Sequence, residues 1–272
     1  MKRNYTVLTK DHLKLQVCRW GGLKKPRLSL LLIHGLGEHQ GRYQHMADHF
    51  VNAGIELITY DQRGHGISEG KRGHSPGLNH TLNDLERVIK SLNYEKLFLY
   101  GHSFGGNVLA NFLLRKQPKY LCGAILSAPW LLLKKKPNVL EVEAAGMLSP
   151  LFPSFTKNNQ IKATDLSSIP EVCKAYQEDP YCHNRISLRL FTDFYKAGKQ
   201  AISAVNKLKT PCLLVHGTED PIIDIKGAKS FVNNSKGMAV LKQYANTRHE
   251  IHNDRTQKTL FKDVQNWIEK QL

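Results

Sequence analysis

Apolar residues follow two rhythms along the chain, and the two alternate. Residues 28–33, 55–60, 96–100, 123–127 and 212–215 are nearly all apolar over short runs. Runs of that length with no polar alternation predict strands covered on both faces. Residues 5–8 and 13–17 instead alternate apolar and polar around Lys10, Asp11 and His12, which predicts a hairpin with one exposed face. A last strand is predicted over 239–244. Between the runs, residues 43–53, 81–92, 107–116, 227–232 and 256–271 carry apolar positions at helical spacing; Leu82, Leu85, Val88 and Ile89 share one side. Strands alternating with helices predict an α/β fold, a mostly parallel central sheet flanked by helices. In such sheets ligands gather beyond the carboxyl ends of the strands, so the segments after Ile33, Tyr60, Tyr100 and Val215 can converge.

The rhythm breaks between residues 130 and 206. Three leucines run into Lys134, Lys135 and Lys136, and Met147, Leu148, Leu151, Phe152 and Phe155 follow without strand or helix periodicity. Short helical pieces lie near 172–176 and 188–197. This stretch is predicted to be a helical cap, residues 130–206, inserted into a core domain made of 1–129 and 207–272. Its apolar residues suit an acyl pocket or a lipid surface, and equally the packing of the cap onto the core.

The run 96–100 leads into Gly101, His102, Ser103, Phe104, Gly105 and Gly106, after which a helix begins and Pro118 closes it. A serine between glycines at a strand-to-helix joint is the nucleophile-elbow pattern. The tight turn strains the serine backbone, and glycines on either side remove the Cβ atoms that would collide there. Helix onset puts the Phe104 N–H beside the hydroxyl, at the end of the helix that favours negative charge. A serine hydroxyl is a poor nucleophile at neutral pH and needs a base and a group to orient it. Asp220 ends one strand motif and His249 follows the last strand, in the chain order Ser…Asp…His. Glu219 and Asp224 are rival acids and His252 is a rival base; Asp220 is favoured because Pro221 takes the chain out of the strand directly after it.

Charge widens the picture. Lysine and arginine number 39 against 23 acidic residues, a net +16. Through Leu30 eight basic residues, Lys24 and Lys25 among them, face only Asp11. Such a surface suits anionic lipid headgroups, so peripheral contact with an anionic membrane is expected; no nucleic-acid motif accompanies the charge, and no nucleic acid is expected. No apolar leader or spanning stretch is seen, which points to the cytoplasm. Of five cysteines, Cys122 and Cys212 lie in apolar runs, and Cys173 and Cys182 are expected as reduced thiols.

Five pieces together resemble the monoacylglycerol lipase and lysophospholipase branch of the serine α/β-hydrolases. They are His34-Gly35-Leu36-Gly37-Glu38-His39-Gln40-Gly41-Arg42-Tyr43, residues 61–70 from Asp61, the Ser103 elbow, Gly217-Thr218-Glu219-Asp220 and Arg248-His249-Glu250. They span nearly the whole chain outside the cap, in family order. The resemblance implies Ser103 as nucleophile, Asp220 as orienting acid and His249 as base, with backbone N–H groups of Leu36 and Phe104 facing the oxyanion. It implies Glu38, Arg42 and His252 around the alcohol of a lipid ester; otherwise Glu38 and Arg42 form an ion pair that pins the oxyanion loop. Asp61, Arg63 and His65 are expected to brace their own turn, and His34 and His102 to pack. Neither metal nor cofactor is called for. Alternatives are a lysophospholipase, a small-ester hydrolase, an aminopeptidase using Glu141, Glu143, Glu171 or Glu178 to hold an ammonium, and a binding protein that has kept the fold. Ser103 argues against dehalogenases and epoxide hydrolases, which carry an aspartate at the elbow.

Overall fold

Strand follows helix in the order the apolar rhythm predicts. A computed structural model describes residues 2–21 and 26–272; Lys24 and Lys25 of the basic amino-terminal set lie outside the described residues. The hairpin is β1 (Lys2–Leu8) and β2 (Lys14–Trp20), antiparallel with Tyr5 opposite Val17. Then come β3 (Leu28–Ile33), α1 (Gln44–Asn52), β4 (Glu56–Tyr60), α2 (Leu78–Lys90), β5 (Lys96–His102), α3 (Phe104–Lys116) and β6 (Leu121–Ser127). The next stretch holds α4 (Val139–Leu148), β7 (Thr156–Asn158), α5 (Ala163–Leu166), α6 (Pro170–Glu178), β8 (Arg185–Ser187) and α7 (Leu188–Ala204). The chain closes with β9 (Cys212–Gly217), α8 (Ile225–Asn233), β10 (Ala239–Tyr244) and α9 (Gln257–Lys270).

Eight strands form one sheet in the order β1-β2-β4-β3-β5-β6-β9-β10, parallel from β4 to β10 with β2 antiparallel to both its neighbours. Both faces are covered, which is why the central strands read as unbroken apolar runs. Leu31 and Ile33 of β3 and Leu97 and Leu99 of β5 pack under α2, α3, α7 and α8. Leu30, Leu32, Phe98 and Tyr100, alternate residues of the same strands, pack on the other side under α1 and α9. Register places the strand ends in a row: Tyr60 lies opposite Ile33, Ile33 opposite Gly101, Gly101 opposite Leu126 and Leu126 opposite Leu214. Segments leaving these strands therefore meet at one rim.

The stretch between β6 and β9 is mostly helical, with β7 and β8 pairing as a small antiparallel ladder that the apolar pattern does not predict. Three residues per strand are too few to show a period. Nor is α4 predicted. Apart from Glu141 and Glu143 its residues are small or apolar on every side and only Ala145 is buried, so it lacks the one-sided stripe that marks a helix packed on a core. Longest of the group, α7 lies against α3: Asn107 donates to the carbonyls of Trp130 and Phe194 at 2.6 and 2.9 Å. Among the described residues no helix is long and apolar enough to cross a membrane.

Candidate active site

The joint of β5 and α3 holds Ser103 at φ +53 and ψ −113, a backbone conformation that costs a non-glycine residue about 1–3 kcal/mol. Its surroundings over-determine it. The Ser103 N–H donates to Ser127 O at 2.9 Å, and its carbonyl accepts from Trp130 N at 2.9 Å and Asn107 N at 3.0 Å. A Cβ on Gly101 would stand 2.5 Å from Gly105 O, and one on Gly105 would stand 2.1 Å from Ile33 O. The elbow is thus built on backbone packed against backbone, which no larger residue permits. Phe104 opens α3, so its N–H is one of those a helix leaves without an internal acceptor.

Beside the elbow, His249 Nδ1 lies 2.8 Å from Asp220 Oδ2. Asp220 is fixed in turn: its Oδ1 accepts from the N–H groups of Ile222 and Ile223 at 2.8 and 2.9 Å. His216 Nε2 stands 3.3 Å from Oδ2. Burial works to raise the Asp220 pKa, but the His249 and His216 imidazoles outweigh it and hold the carboxyl far below the usual carboxylate range. For His249 burial works downward, and the Asp220 carboxylate outweighs it, so its pKa lies above the ordinary histidine value. The rivals are placed elsewhere. Asp224 caps α8 by accepting from Lys226 N, and Glu219 is exposed. His252 is fully buried, stacked on Tyr43 at 4.6 Å between ring centroids, and among the described residues neither of its nitrogens has a hydrogen-bond partner. The His249 ring lies 4.8 Å from that of His102, the residue before Ser103. Ser103 Oγ and His249 form no hydrogen bond in this resting arrangement; in ligand-free hydrolases such bonds often tighten only around substrate.

Leu36 and Ser103 open onto one cavity of about 740 Å³, whose apolar wall includes Trp130, Leu133, Ile186 and Phe191. Behind Leu36 the loop is tied down from below. Glu38 Oε1 accepts from Gly35 N at 2.6 Å and from the Tyr43 hydroxyl at 2.8 Å, and its Oε2 accepts from Arg42 at 2.9 Å. Arg42 also forks onto Glu250 at 2.5 and 2.7 Å. Burial pushes the pKa of both glutamates up, but Arg42 outweighs it for Glu250, which falls to about 2; Glu38, facing the charged Glu250, stays raised. Glu38, Arg42 and His252 do not line the cavity. The contacts of Glu38 and Arg42 match the ion pair that pins the loop, with Glu250, present in the Arg248-His249-Glu250 piece, as a second carboxylate.

The loop is clamped from above as well. Gly37 O accepts from His183 N at 2.9 Å and from the Tyr176 hydroxyl at 3.4 Å, and His39 Nε2 lies 2.8 Å from Asp179 Oδ2. Tyr176, Asp179 and His183 escape sequence reasoning because they sit in the stretch without a pattern. The Asp61 turn is braced from within and from outside: Asp61 accepts from Ile67 N at 2.9 Å and His65 Nδ1 meets Arg63 O, while Asp61 also accepts from Gln40 N of the Leu36 loop at 2.8 Å and Arg63 reaches out to Asp84 of α2 and to Asp11 of the β1–β2 turn. His34 and His102 are buried, and burial lowers the pKa of each to about 3. Among the described residues, donor atoms converge within 4.8 Å in two groups, His39–Asp179–Cys182 and Glu38–His102–Glu250. In the second, Arg42 already occupies both carboxylates. In the first, His39 and Asp179 bond each other, and burial pushes the Cys182 thiol well above its ordinary pKa.

Residues 24–256 match the family described as serine aminopeptidase, S33. The chain is 34% identical over 98% of its length to an uncharacterised abhydrolase domain-containing protein of Dictyostelium discoideum, of which it spans only 29%. It is 31% identical to a monoacylglycerol lipase of Mycolicibacterium smegmatis, covering 92% of this chain and 90% of that one. The crystal structure of Paleococcus ferrophilus monoacylglycerol lipase superposes with a TM-score of 0.88 at 29% identity, over 95% of this chain and 99% of the other. With the rim of an eight-stranded sheet carrying a strained serine beside a histidine–aspartate pair, the chain belongs to the serine α/β-hydrolases of this family, beside the monoacylglycerol lipases.

Proposed function

We propose that the protein is a serine ester hydrolase that releases fatty acid from monoacylglycerol and related single-chain lipid esters through an acyl-enzyme. One observation supports the reading: Ser103 opens into a cavity with an apolar wall, and the imidazole of the hydrogen-bonded Asp220–His249 pair lies 4.8 Å from the ring of His102, the residue before Ser103. His249 takes the Ser103 proton as the hydroxyl attacks the ester carbonyl. The N–H groups of Leu36 and Phe104 hold the oxyanion, each donor worth about 3–4 kcal/mol. His249 then protonates the leaving alcohol, and water releases the acyl group by the same route. Residues 130–206 act as a cap over a core of 1–129 and 207–272, and Glu38 and Arg42 serve the reaction by anchoring the loop that carries Leu36.

A lipid surface is the substrate's source in this reading. Val139, Leu140, Met147, Leu151, Phe152 and Phe155 are each more than half exposed, all within one stretch of the cap. Large apolar side chains left exposed together along one stretch suit a contact surface, and the net positive charge favours an anionic bilayer. An aminopeptidase is less well supported: of the four glutamates considered for an ammonium, only Glu141 lines the cavity. Assay on 1-monoacylglycerol, p-nitrophenyl esters and aminoacyl-naphthylamides, beside Ser103→Ala, tests the proposal. Ester turnover is expected to fall by about 10⁴-fold or more in the variant. Ester turnover surviving that substitution, or confined to the naphthylamides, rejects it.

A further inference from the structure

Asp220 faces a second imidazole besides that of His249. His216 lies at the end of β9 and is wholly buried. Its Nε2 stands 3.3 Å from Asp220 Oδ2 and 3.3 Å from Ile223 O. Among the described residues its Nδ1 has no hydrogen-bond partner. Two acceptors at one nitrogen place the ring proton on Nε2, where one N–H is shared between them. Ile223 closes the arrangement, because its own N–H donates to Asp220 Oδ1 at 2.9 Å. That residue is tied down from the far side: Leu133 bridges Ile223 in antiparallel fashion, and Asp224 N donates to Leu132 O at 2.9 Å. A carboxylate offers about four lone-pair sites. Here Ile222 and Ile223 take up Oδ1, and His249 and His216 take up Oδ2. His216 does not line the Ser103 cavity, so any part it plays runs through Asp220.

We propose that His216 is a positioning residue for ester hydrolysis: its Nε2–H, shared between Asp220 Oδ2 and Ile223 O, locks the carboxylate against rotation and draws off part of the charge that Asp220 turns toward His249. The proposal rests on the ester-hydrolase reading and adds to it a residue that acts through the orienting acid. A donor competing for Oδ2 weakens the hold of the carboxylate on a protonated His249, and so keeps more of the base free at neutral pH. Besides Asp220, His249 faces Glu250 and Glu38, both paired with Arg42, and the His102 ring at 4.8 Å; the His252 ring lies 4.7 Å from that of His102. A substitution at 216 leaves all of these side chains in the sequence, so the effect of the shared donor can be read by itself.

Two variants separate the N–H from the bulk of the ring. His216→Leu fills the site without a donor, and His216→Gln restores a neutral N–H at the reach of Nε2. Both are compared with the unmodified chain for kcat and KM on p-nitrophenyl butyrate across pH, with urea denaturation as the check on folding. In His216→Leu, kcat at its high-pH plateau is expected to fall by about tenfold with KM unchanged, because the acid is less well held and the cavity is not touched. The acid-side midpoint of kcat/KM is expected to move up by about half a pH unit, since the charge on Oδ2 then falls on His249 alone. His216→Gln is expected to return both toward the unmodified values. The midpoint does not depend on how much of a preparation is folded, so a merely structural role would not move it. Should His216→Leu fail to fold, His216→Asn, whose amide ends about one bond short of Nε2, takes its place. A midpoint that stays or moves down overturns the proposal. So does an equal loss in the donor-free and Gln variants, which would assign His216 to packing or charge, and so does a change confined to KM. No ester turnover by the unmodified chain overturns the hydrolase reading itself, a failure distinct from turnover with an unmoved midpoint.

Discussion

The rim of the sheet and the stretch from 130 to 206 meet over the same cavity but are built on opposite terms. At the rim each chemical side chain is buried and its placement is dictated by backbone: Ser103 by Gly101 and Gly105, Asp220 by two N–H groups of its own loop. Above it, α4 and the residues after it turn leucine and phenylalanine outward, and exposed lysines join the cavity lining. Buried chemistry tolerates little change because moving one atom leaves a charge or an N–H stranded. An exposed patch can vary in composition without disturbing the rim beneath it. On the proposed mechanism the rim carries the reaction and the stretch from 130 to 206 carries substrate choice, a division that the following variants test.

Removing the Asp220 charge tests the rim most severely. Asp220→Asn keeps the shape but leaves His249 without the carboxylate that outweighs its burial. Ester turnover should fall by about 10⁴-fold, as when the orienting acid of a triad is neutralised. The pH profile adds a sign. Only unprotonated His249 can take the serine proton, and its pKa lies above the ordinary histidine value. For the unmodified chain kcat/KM should therefore fall on acidification with a midpoint above about 6.5. In Asp220→Asn, burial is opposed only by the weaker pull of Glu250 and Glu38, and the midpoint moves to lower pH. An unmoved midpoint would mean that another group titrates.

The Arg42 cluster should show its importance in stability. Arg42→Ala strips the guanidinium from two buried carboxylates, and a broken buried pair costs about 3–5 kcal/mol. Urea denaturation reads it directly. A loss under about 1 kcal/mol would mean that water reaches Glu38 and Glu250 and that the network is no anchor.

Most of the rim was legible in the sequence, and the reason is local. Glycine spacing, unbroken apolar runs and a polar residue at each strand end are short-range signals, so β3, β5, β9 and the Ser103 turn could be placed from a few residues apiece. Contacts that join distant segments left no such trace. Arg42 meets Glu250 across 208 residues, and Gly37 meets His183 from a stretch without periodicity. Glu38 is ambiguous in sequence for the same reason: its type and spacing fit both an alcohol pocket and a loop anchor, and its bonds to Gly35 N–H, Tyr43 and Arg42 favour the anchor. Glu38→Gln sharpens that choice. As an anchor it should lower kcat/KM on monoacylglycerol and on p-nitrophenyl esters alike, by about tenfold. A loss confined to monoacylglycerol would return Glu38 to the alcohol.

The smallest effect in solution belongs to the exposed apolar residues that follow α4. Leu151→Ser and Phe152→Ser alter residues that are 72% and 59% exposed, so the folded chain loses little packing. Stability should stay within about 0.5 kcal/mol, the usual range for surface changes. Turnover of a soluble short-chain ester should be unaltered, because neither residue lines the cavity. On anionic vesicles the outcome separates the two regions. Each side chain withdrawn from water into the acyl boundary contributes about 1.5–3 kcal/mol, so the double variant should sediment far less with vesicles while its rim works as before. If vesicle binding survives and short-chain turnover falls instead, the exposed patch belongs to the chemistry below it, and the division between a fixed rim and a variable cover fails.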